Sequence, residues 1–326
     1  MLYTITVDTE EEWDWASDFR TDNESVANID ALTEFQKTCD RLGVCVTYFV
    51  NHAVLKDPKS AQTIRSLSKN PNVEIGLHIH PWNTPPLAEE DVVEVQHSFL
   101  HNLSRELAIE KLSTVLRAFE ENDLSATSFR GGRYSTSDWI QDFLFQHGCI
   151  ADASVLPFTT WDDHGAPDFR TRDLTPRRRS MGDQSMGLWE IPLTLAFTRK
   201  PWWFWSRFYQ VCERTSLKHL RLIGIAERTA VKRVWLNLEH PLGDSLELLL
   251  PVLRNSGLQC INFTMHSSSL VAGLNPYVRT ASDLKRVYDR LEKAVNLLKP
   301  WAECSPSTIT DVAHHLESEY HAHSGN

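Results

Sequence analysis

The sequence predicts an α/β protein, a distorted parallel (β/α) barrel of about seven strands with an inserted segment over its mouth. Seven apolar, β-branched runs are spread evenly along the 326 residues, at 2–8, 44–50, 73–80, 126–131, 149–155, 234–239 and 261–266. Several are hydrophobic almost throughout, as strands covered on both faces are. Helical patterns alternate with them, the rhythm of a parallel α/β fold. A doubly wound open sheet is the competitor, but no glycine-rich phosphate loop follows any run.

Ile29, Leu32, Phe35, Cys39 and Leu42 form one stripe, which Gly43 ends as a C-terminal stop. Residues 103–119 and 138–146 form two more. Ser282 is expected to cap a last helix with Leu284, Val287, Leu291, Val295 and Leu298 on its core face. From about 158 to 220 the rhythm breaks. That insertion holds a basic, proline-containing loop (170–179), an extended segment (187–195) and the run Trp202-Trp203-Phe204-Trp205. Its aromatics are expected to pack the insertion's own core, with sugar stacking or contact with a membrane surface as alternatives. Residues 1–303 are expected to form a single barrel domain. Residues 304–326 are expected to be a mobile tail, so His314, His315, His321 and His323 are not expected to bind metal.

At 41% hydrophobic the chain can bury a large core, and its net charge of −10 argues against nucleic acid as the main partner. The six cysteines show no CxxC pair and sit mostly in apolar patterns, which suits a reducing compartment. No secretory signal and no run of 18 apolar residues is visible, so the cytoplasm is the expected location and no transmembrane segment is expected.

The segment Glu74-Ile75-Gly76-Leu77-His78-Ile79-His80-Pro81-Trp82 reads as a strand ending in two histidines. Strand side chains alternate, so His78 and His80 share a face and can hold one divalent ion with a carboxylate from elsewhere. One core histidine and one exposed one is the plain alternative. The other strand ends are also polar. The first carries Asp8 and Glu10, the fourth Arg130, Arg133 and Tyr134, the fifth Asp152, the sixth Glu239 and His240, and the seventh His266. Barrel active sites are assembled from several strand ends at this face. Singly, each has an ordinary reading: Asp152 as a turn cap, His240 as a loop residue before Pro241, Arg133 as a surface ion pair.

Together these segments resemble the polysaccharide deacetylases, the carbohydrate esterase group related to nodulation chitooligosaccharide deacetylase. Thr6-Val7-Asp8-Thr9-Glu10 is similar to the first family motif in a variant form, Glu74 to His78 to the lead of the second, Phe129 to Tyr134 to the third, and Phe263 to His266 to the last. The continuation from His266 to Tyr277 resembles a branch associated with lipopolysaccharide or exopolysaccharide biosynthesis. The resemblance implies metal-dependent removal of an N- or O-acetyl group from a sugar. Glu10, His78 and His80 would hold a divalent ion, most simply Zn²⁺, which activates water. Asp8 would be the general base, oriented by Arg130, and His266 would protonate the leaving group. A backbone N–H near Tyr134 would stabilise the oxyanion. Asp152 would hold a histidine in its working tautomer, and Arg133, Tyr134, Trp82 and Asp152 would face substrate. The partner would be an acetylated sugar, nucleotide-sugar or lipid-linked oligosaccharide.

Two positions depart from the family pattern. Trp82 stands where the second histidine of H-x-x-x-H usually is, so either His80 replaces it from the same strand face or the metal site is weakened or lost. The Arg130 segment lacks the usual proline and has two glycines, which could admit backbone N–H groups to substrate. Two other functions fit the same residues: an amide hydrolase acting on a small non-sugar molecule, and a catalytically silent glycan-binding homologue.

Overall fold

Strand β1 (Leu2–Thr9) is buried from Tyr3 onward, which is why its sequence reads as apolar rather than alternating. It lies inside the main sheet of the protein, whose computed structural model describes all residues except 14–17, 161–164, 183–185, 215–221 and 325–326. After the short β2 (Phe19–Arg20), helix α1 (Leu32–Leu42) buries Leu32, Phe35 and Cys39. It stops at Gly43, whose φ of 70° is the left-handed conformation glycine adopts without strain. There follow β3 (Val46–Val50), α2 (His52–Lys56), α3 (Pro58–Leu67), β4 (Val73–Ile79) and β5 (Val92–Val93), which pairs with β2. Ser104 caps α4 (Arg105–Glu121), and β6 (Ser128–Gly131), α5 (Asp138–Gln146) and β7 (Ala151–Asp152) come next.

The later half is less regular. It holds β8 (Arg177–Arg179), β9 (Leu188–Glu190), β10 (Leu195–Phe197), α6 (Trp202–Arg214), α7 (Leu222–Thr229) and β11 (Arg233–Trp235). The chain ends with α8 (Leu246–Arg254), β12 (Cys260–His266), α9 (Ala281–Leu298), β13 (Ser305–Pro306) and α10 (Ile309–Ser324).

The main sheet runs β12-β1-β3-β4-β6-β7-β9-β8, with β13 beside the start of β1. Every pairing is parallel except β8 with β9. The sheet curls into a distorted (β/α) barrel. Irregular backbone bridges β9 back to β12: Leu193 N–H donates to Val155 O, Thr194 N–H to Asn262 O, and Leu238 N–H to Thr264 O.

Four expectations need correction. Residues 234–239 do not form a strand of the main sheet. Their start, β11, pairs antiparallel with β10 in a sheet of two strands, and Asn237 meets Thr264 through an isolated bridge. The extended segment assigned to the insertion instead supplies β9, which runs beside β7. Thr280, not Ser282, caps α9, because its hydroxyl accepts from Asp283 N–H while the Asp283 carboxylate accepts from Thr280 N–H.

The fourth concerns residues 304–326, which are not a mobile tail. β13 pairs with β1, and α10 buries Ile309, Val312, Ala313 and Leu316 at helical spacing. Glu74 fixes the start of this helix by accepting from Thr310 N–H at 3.1 Å and from the Thr310 hydroxyl at 2.6 Å. Thr47 Oγ1 accepts from Ile309 N–H. Thr47 and Glu74 stand at the beginnings of β3 and β4, so α10 covers the end of the barrel opposite the site described below.

Three arginines of the basic loop are likewise paired within the fold. Arg178 pairs with Glu317, Arg179 with Asp142, and Arg172 with Glu190. Charged side chains suit an edge strand such as β8, where unpaired backbone would otherwise invite association.

Candidate active site

At the carboxyl ends of the strands lies a pocket of about 230 Å³ whose lining includes Asp8, Glu10, His78, His80, Glu239 and His266. Trp13, Trp82, Phe99, Tyr134, Trp235 and Tyr277 supply much of its wall. Alternation carried from β4 into the residue just past its end sends His78 and His80 to the same side, and tertiary packing brings their rings edge to face, with Nε2 atoms 3.1 Å apart. Glu10 Oε2 is 3.1 Å from each. All three side chains are nearly fully buried.

Their outer hydrogen bonds determine what the inner atoms can do. His78 Nδ1 lies 2.6 Å from the Arg130 carbonyl, which can only accept, so Nδ1 carries the proton and Nε2 a lone pair. His80 Nδ1 donates in the same way to Glu11 Oε1 at 2.7 Å. Glu11 is itself fully buried and accepts from Asn51. Three lone pairs therefore meet at one point with no proton between them in the neutral rings. The point demands positive charge. Burial alone would lower the His80 pKa, but Glu11 and Glu10 outweigh it and lift it to about 10. Burial alone would raise Glu10, yet His80, His266 and the bonds from both ring nitrogens hold it well below the usual carboxylate range. A divalent ion satisfies all three donors at once, and their spacing suits an ion about 2.0–2.2 Å from each. Among the described residues this is the group whose donor atoms all lie within 4.8 Å of one another. The donor set fits a metal.

Beside it, Asp8 Oδ1 accepts from Arg130 Nη1 at 2.6 Å. Arg130 is completely buried, so its remaining donors must also be satisfied. Nη2 donates to Thr6 Oγ1 at 2.9 Å, Nε to Ala153 O at 3.1 Å, and the guanidinium lies over Phe49 at 4.5 Å. Asp8 Oδ2 is 3.9 Å from His266 Nε2, and Glu239 holds the other face of that imidazole at Nδ1. Burial would lower His266, but Glu239, Glu10 and Asp8 lift it to about 10.

Trp82, in the position of the missing histidine, stacks on His80 with ring centres 4.1 Å apart. It packs against the imidazole of His80 inside the pocket. Arg133 lines the pocket with its guanidinium between Phe19 and Phe99, and no carboxylate partner is recorded for it among the described residues. Burial, reinforced by Asp8, raises the Tyr134 hydroxyl well above its ordinary pKa, so it lines the pocket as a neutral phenol. Asp152 is placed elsewhere. It is fully buried, accepts from Ser154 N–H at 2.9 Å and Gln141 Nε2 at 2.8 Å, and is absent from the pocket wall. It holds no histidine; Glu11 and Glu239 do that work. The two glycines are used internally as well. A Cβ on Gly132 would stand 2.4 Å from both His80 Cδ2 and Ile79 O, and one on Gly131 1.8 Å from Ser135 O.

Sequence reasoning missed Glu11 because alternation carried one residue past β1 places Glu10 beside Asp8 and sends Glu11 to the opposite face, whereas the chain leaves the strand at Thr9 and brings Glu11 to His80. Trp235 and Asn237 were missed although a signal existed. Together with Glu239 they occupy alternate positions of the run 234–239, and all three face the pocket.

Solved structures share this arrangement of elements. One from Mycobacterium smegmatis, provisionally classed as a polysaccharide deacetylase, is 13% identical with a TM-score of 0.58, covering 98% of this chain and 91% of that one. A probable polysaccharide deacetylase from Pseudomonas aeruginosa is 12% identical with a TM-score of 0.52, covering 98% and 91%. The chain has the polysaccharide deacetylase fold. An allantoinase, Puue, shares it too, at 12% identity and a TM-score of 0.53 over 97% of this chain and 90% of that one. No protein-family model and no curated protein matches the chain.

Proposed function

We propose that this protein is a metal-dependent hydrolase that removes an acetyl group from a sugar. The observation that carries this reading is one pocket in which Asp8 and His266 face each other across 3.9 Å beside the converging donors of Glu10, His78 and His80. Those three residues would hold the ion, most simply Zn²⁺, which when bound supplies a Lewis acid. Asp8, fixed by Arg130, takes a proton from water as the water oxygen adds to the acetyl carbonyl carbon. Tyr134 stands at the pocket wall as a neutral hydroxyl donor toward the developing oxyanion. His266, held by Glu239, delivers a proton to the leaving nitrogen or oxygen as the C–N or C–O bond breaks. Acetate and the free amine or hydroxyl result. The substrate class is an acetylated glycan of polysaccharide or lipopolysaccharide assembly, carried as a nucleotide-sugar or on a lipid. The similar structures named as polysaccharide deacetylases support an acetylated sugar as the substrate class.

Acetate release from a panel of acetylated sugars, with bound metal measured in the same preparations, tests the proposal. Stoichiometric divalent metal is expected, with activity lost on chelation, in His78→Ala and in Asp8→Asn, the last with metal retained. If the purified protein carries no such metal, and acetate release survives both chelation and His78→Ala, the proposal is wrong.

A second reading, hydrolysis of an amide in a small non-sugar molecule, is favoured by the modest pocket and the shared fold of the allantoinase. Amide turnover without acetate release would select it.

A further inference from the structure

The aromatic run at 202–205 divides across α6. Ser206, Tyr209 and Cys212 are buried, and Trp202 and Trp205 pack partly buried against the core, giving one face at helical spacing. Trp203 and Phe204 stand outside that face, 67% and 47% exposed, and Ile225 on the neighbouring α7 is 55% exposed. Core packing, the plainest role for this run, therefore accounts for only half of it.

The charge around these residues is also unlike the rest of the molecule. Arg199, Lys200, Arg207, Arg228 and Lys232 are exposed on the same segment. Residues 199–233 contain nine lysines and arginines against Glu213 and Glu227, in a chain whose net charge is −10. Glu213 is paired with Arg233 at 3.3 Å, and Glu227 accepts from Tyr209 at 3.3 Å. An acidic protein partner would account for the cations but not for exposed indole and phenyl rings. A neutral glycan would account for the rings but not the cations. Anionic lipid accounts for both, since rings enter the boundary between headgroups and acyl chains while lysine and arginine meet the phosphates.

The surface is also continuous with the pocket. Trp235 lines both the pocket and a second cleft, and Phe158, Arg170 and Gln210 of that cleft also line a third, which reaches Trp203 and Arg207. No described helix is long and apolar enough to cross a membrane, so the contact would lie at the surface. We infer that α6 and α7 form a basic, aromatic arm that seats this protein on an anionic lipid surface. Docking does not depend on the proposed reaction and is tested separately from it.

The experiment is co-sedimentation of the full chain with phosphatidylcholine vesicles and with vesicles enriched in phosphatidylglycerol, at low and high salt. Binding to the anionic vesicles, released by salt, is expected. Phe204→Ser with Ile225→Ser, and separately Arg207→Glu, should each weaken partitioning about tenfold or more. The Phe204/Ile225 double variant should keep the wild-type melting temperature and its activity on soluble substrate. Absence of vesicle binding, or equal binding by both variants, would overturn the inference. So would capture of the lipid-free chain by polyglutamate with no effect of the double variant, which would assign the arm to an acidic protein.

Discussion

Glu239 grips His266 at two points: Oε1 lies 2.5 Å from Nδ1, and Oε2 accepts the His266 backbone N–H at 3.0 Å. The imidazole can then turn only Nε2 toward Asp8. Glu239→Gln keeps the shape and removes the charge, so kcat should fall about 100-fold with KM little changed. A general acid works while protonated, so its contribution persists below its pKa and is lost as pH rises through it. His266 is lifted to about 10 partly by Glu239. The alkaline limb of the pH–rate profile should therefore move to lower pH in the variant, and an unmoved limb would remove His266 as the acid.

Glu11 touches no converging donor directly, yet it fixes which nitrogen of His80 faces them. Glu11→Gln should weaken divalent metal affinity about 10–100-fold while the stoichiometry stays unchanged. Competition against a chelating dye measures this, and His80→Ala should abolish the tight binding that Glu11→Gln only weakens.

Gly132→Ala would drive a methyl group into the His80 ring and the Ile79 carbonyl. The backbone cannot yield here without moving His80, one of the three converging donors. Metal affinity should drop by at least about tenfold, together with a lower melting temperature, since overpacking costs about 1–3 kcal/mol.

Glu317 anchors α10 by accepting from Arg178 at 2.8 Å, Trp189 Nε1 at 2.7 Å and Gly187 N–H at 3.2 Å. Burial would raise its carboxyl, but these partners pull it down to about 2. A depressed carboxyl contributes stability that is fully present above its unfolded value near 4.5 and is lost as pH falls toward 2. Solvent screening of the partly exposed Arg178 reduces the worth of this carboxyl at neutral pH to about 1–2 kcal/mol. Urea unfolding at pH 7 should show Glu317→Gln less stable by up to that amount, and the gap should narrow below pH 4.5 and close near pH 2.

Much of this protein is legible in the order of its residues. Period-two alternation placed His78 with His80 and Asp8 with Glu10, and near-continuous hydrophobicity marked β1, β3, β4 and β12 as strands buried on both sides. These are local properties, and local backbone geometry decides them. The pattern faded where that geometry did. β9 is three residues long, and the extended segment that contains it carried no local sign that it belongs to the main sheet rather than to the insertion. Thr308 and the stripe Ile309, Val312, Ala313 and Leu316 have the form of a capped amphipathic helix, yet position near the terminus argued for mobility. Only the open end of the barrel, which that helix covers, explains why it is ordered.

The sequence by itself determined which residues could do chemistry and which face of each strand would carry them. Tertiary structure decided which carboxylate serves which histidine: Glu11 serves His80, Glu239 serves His266, and Asp152 serves none. Those pairings join residues 69 and 27 positions apart, and both carboxylates, Glu11 and Glu239, lie in segments that are neither strand nor helix. Side-chain alternation is a rule about neighbours along one strand. The distance between two strand ends is set by how the whole sheet curls and by what fills its core.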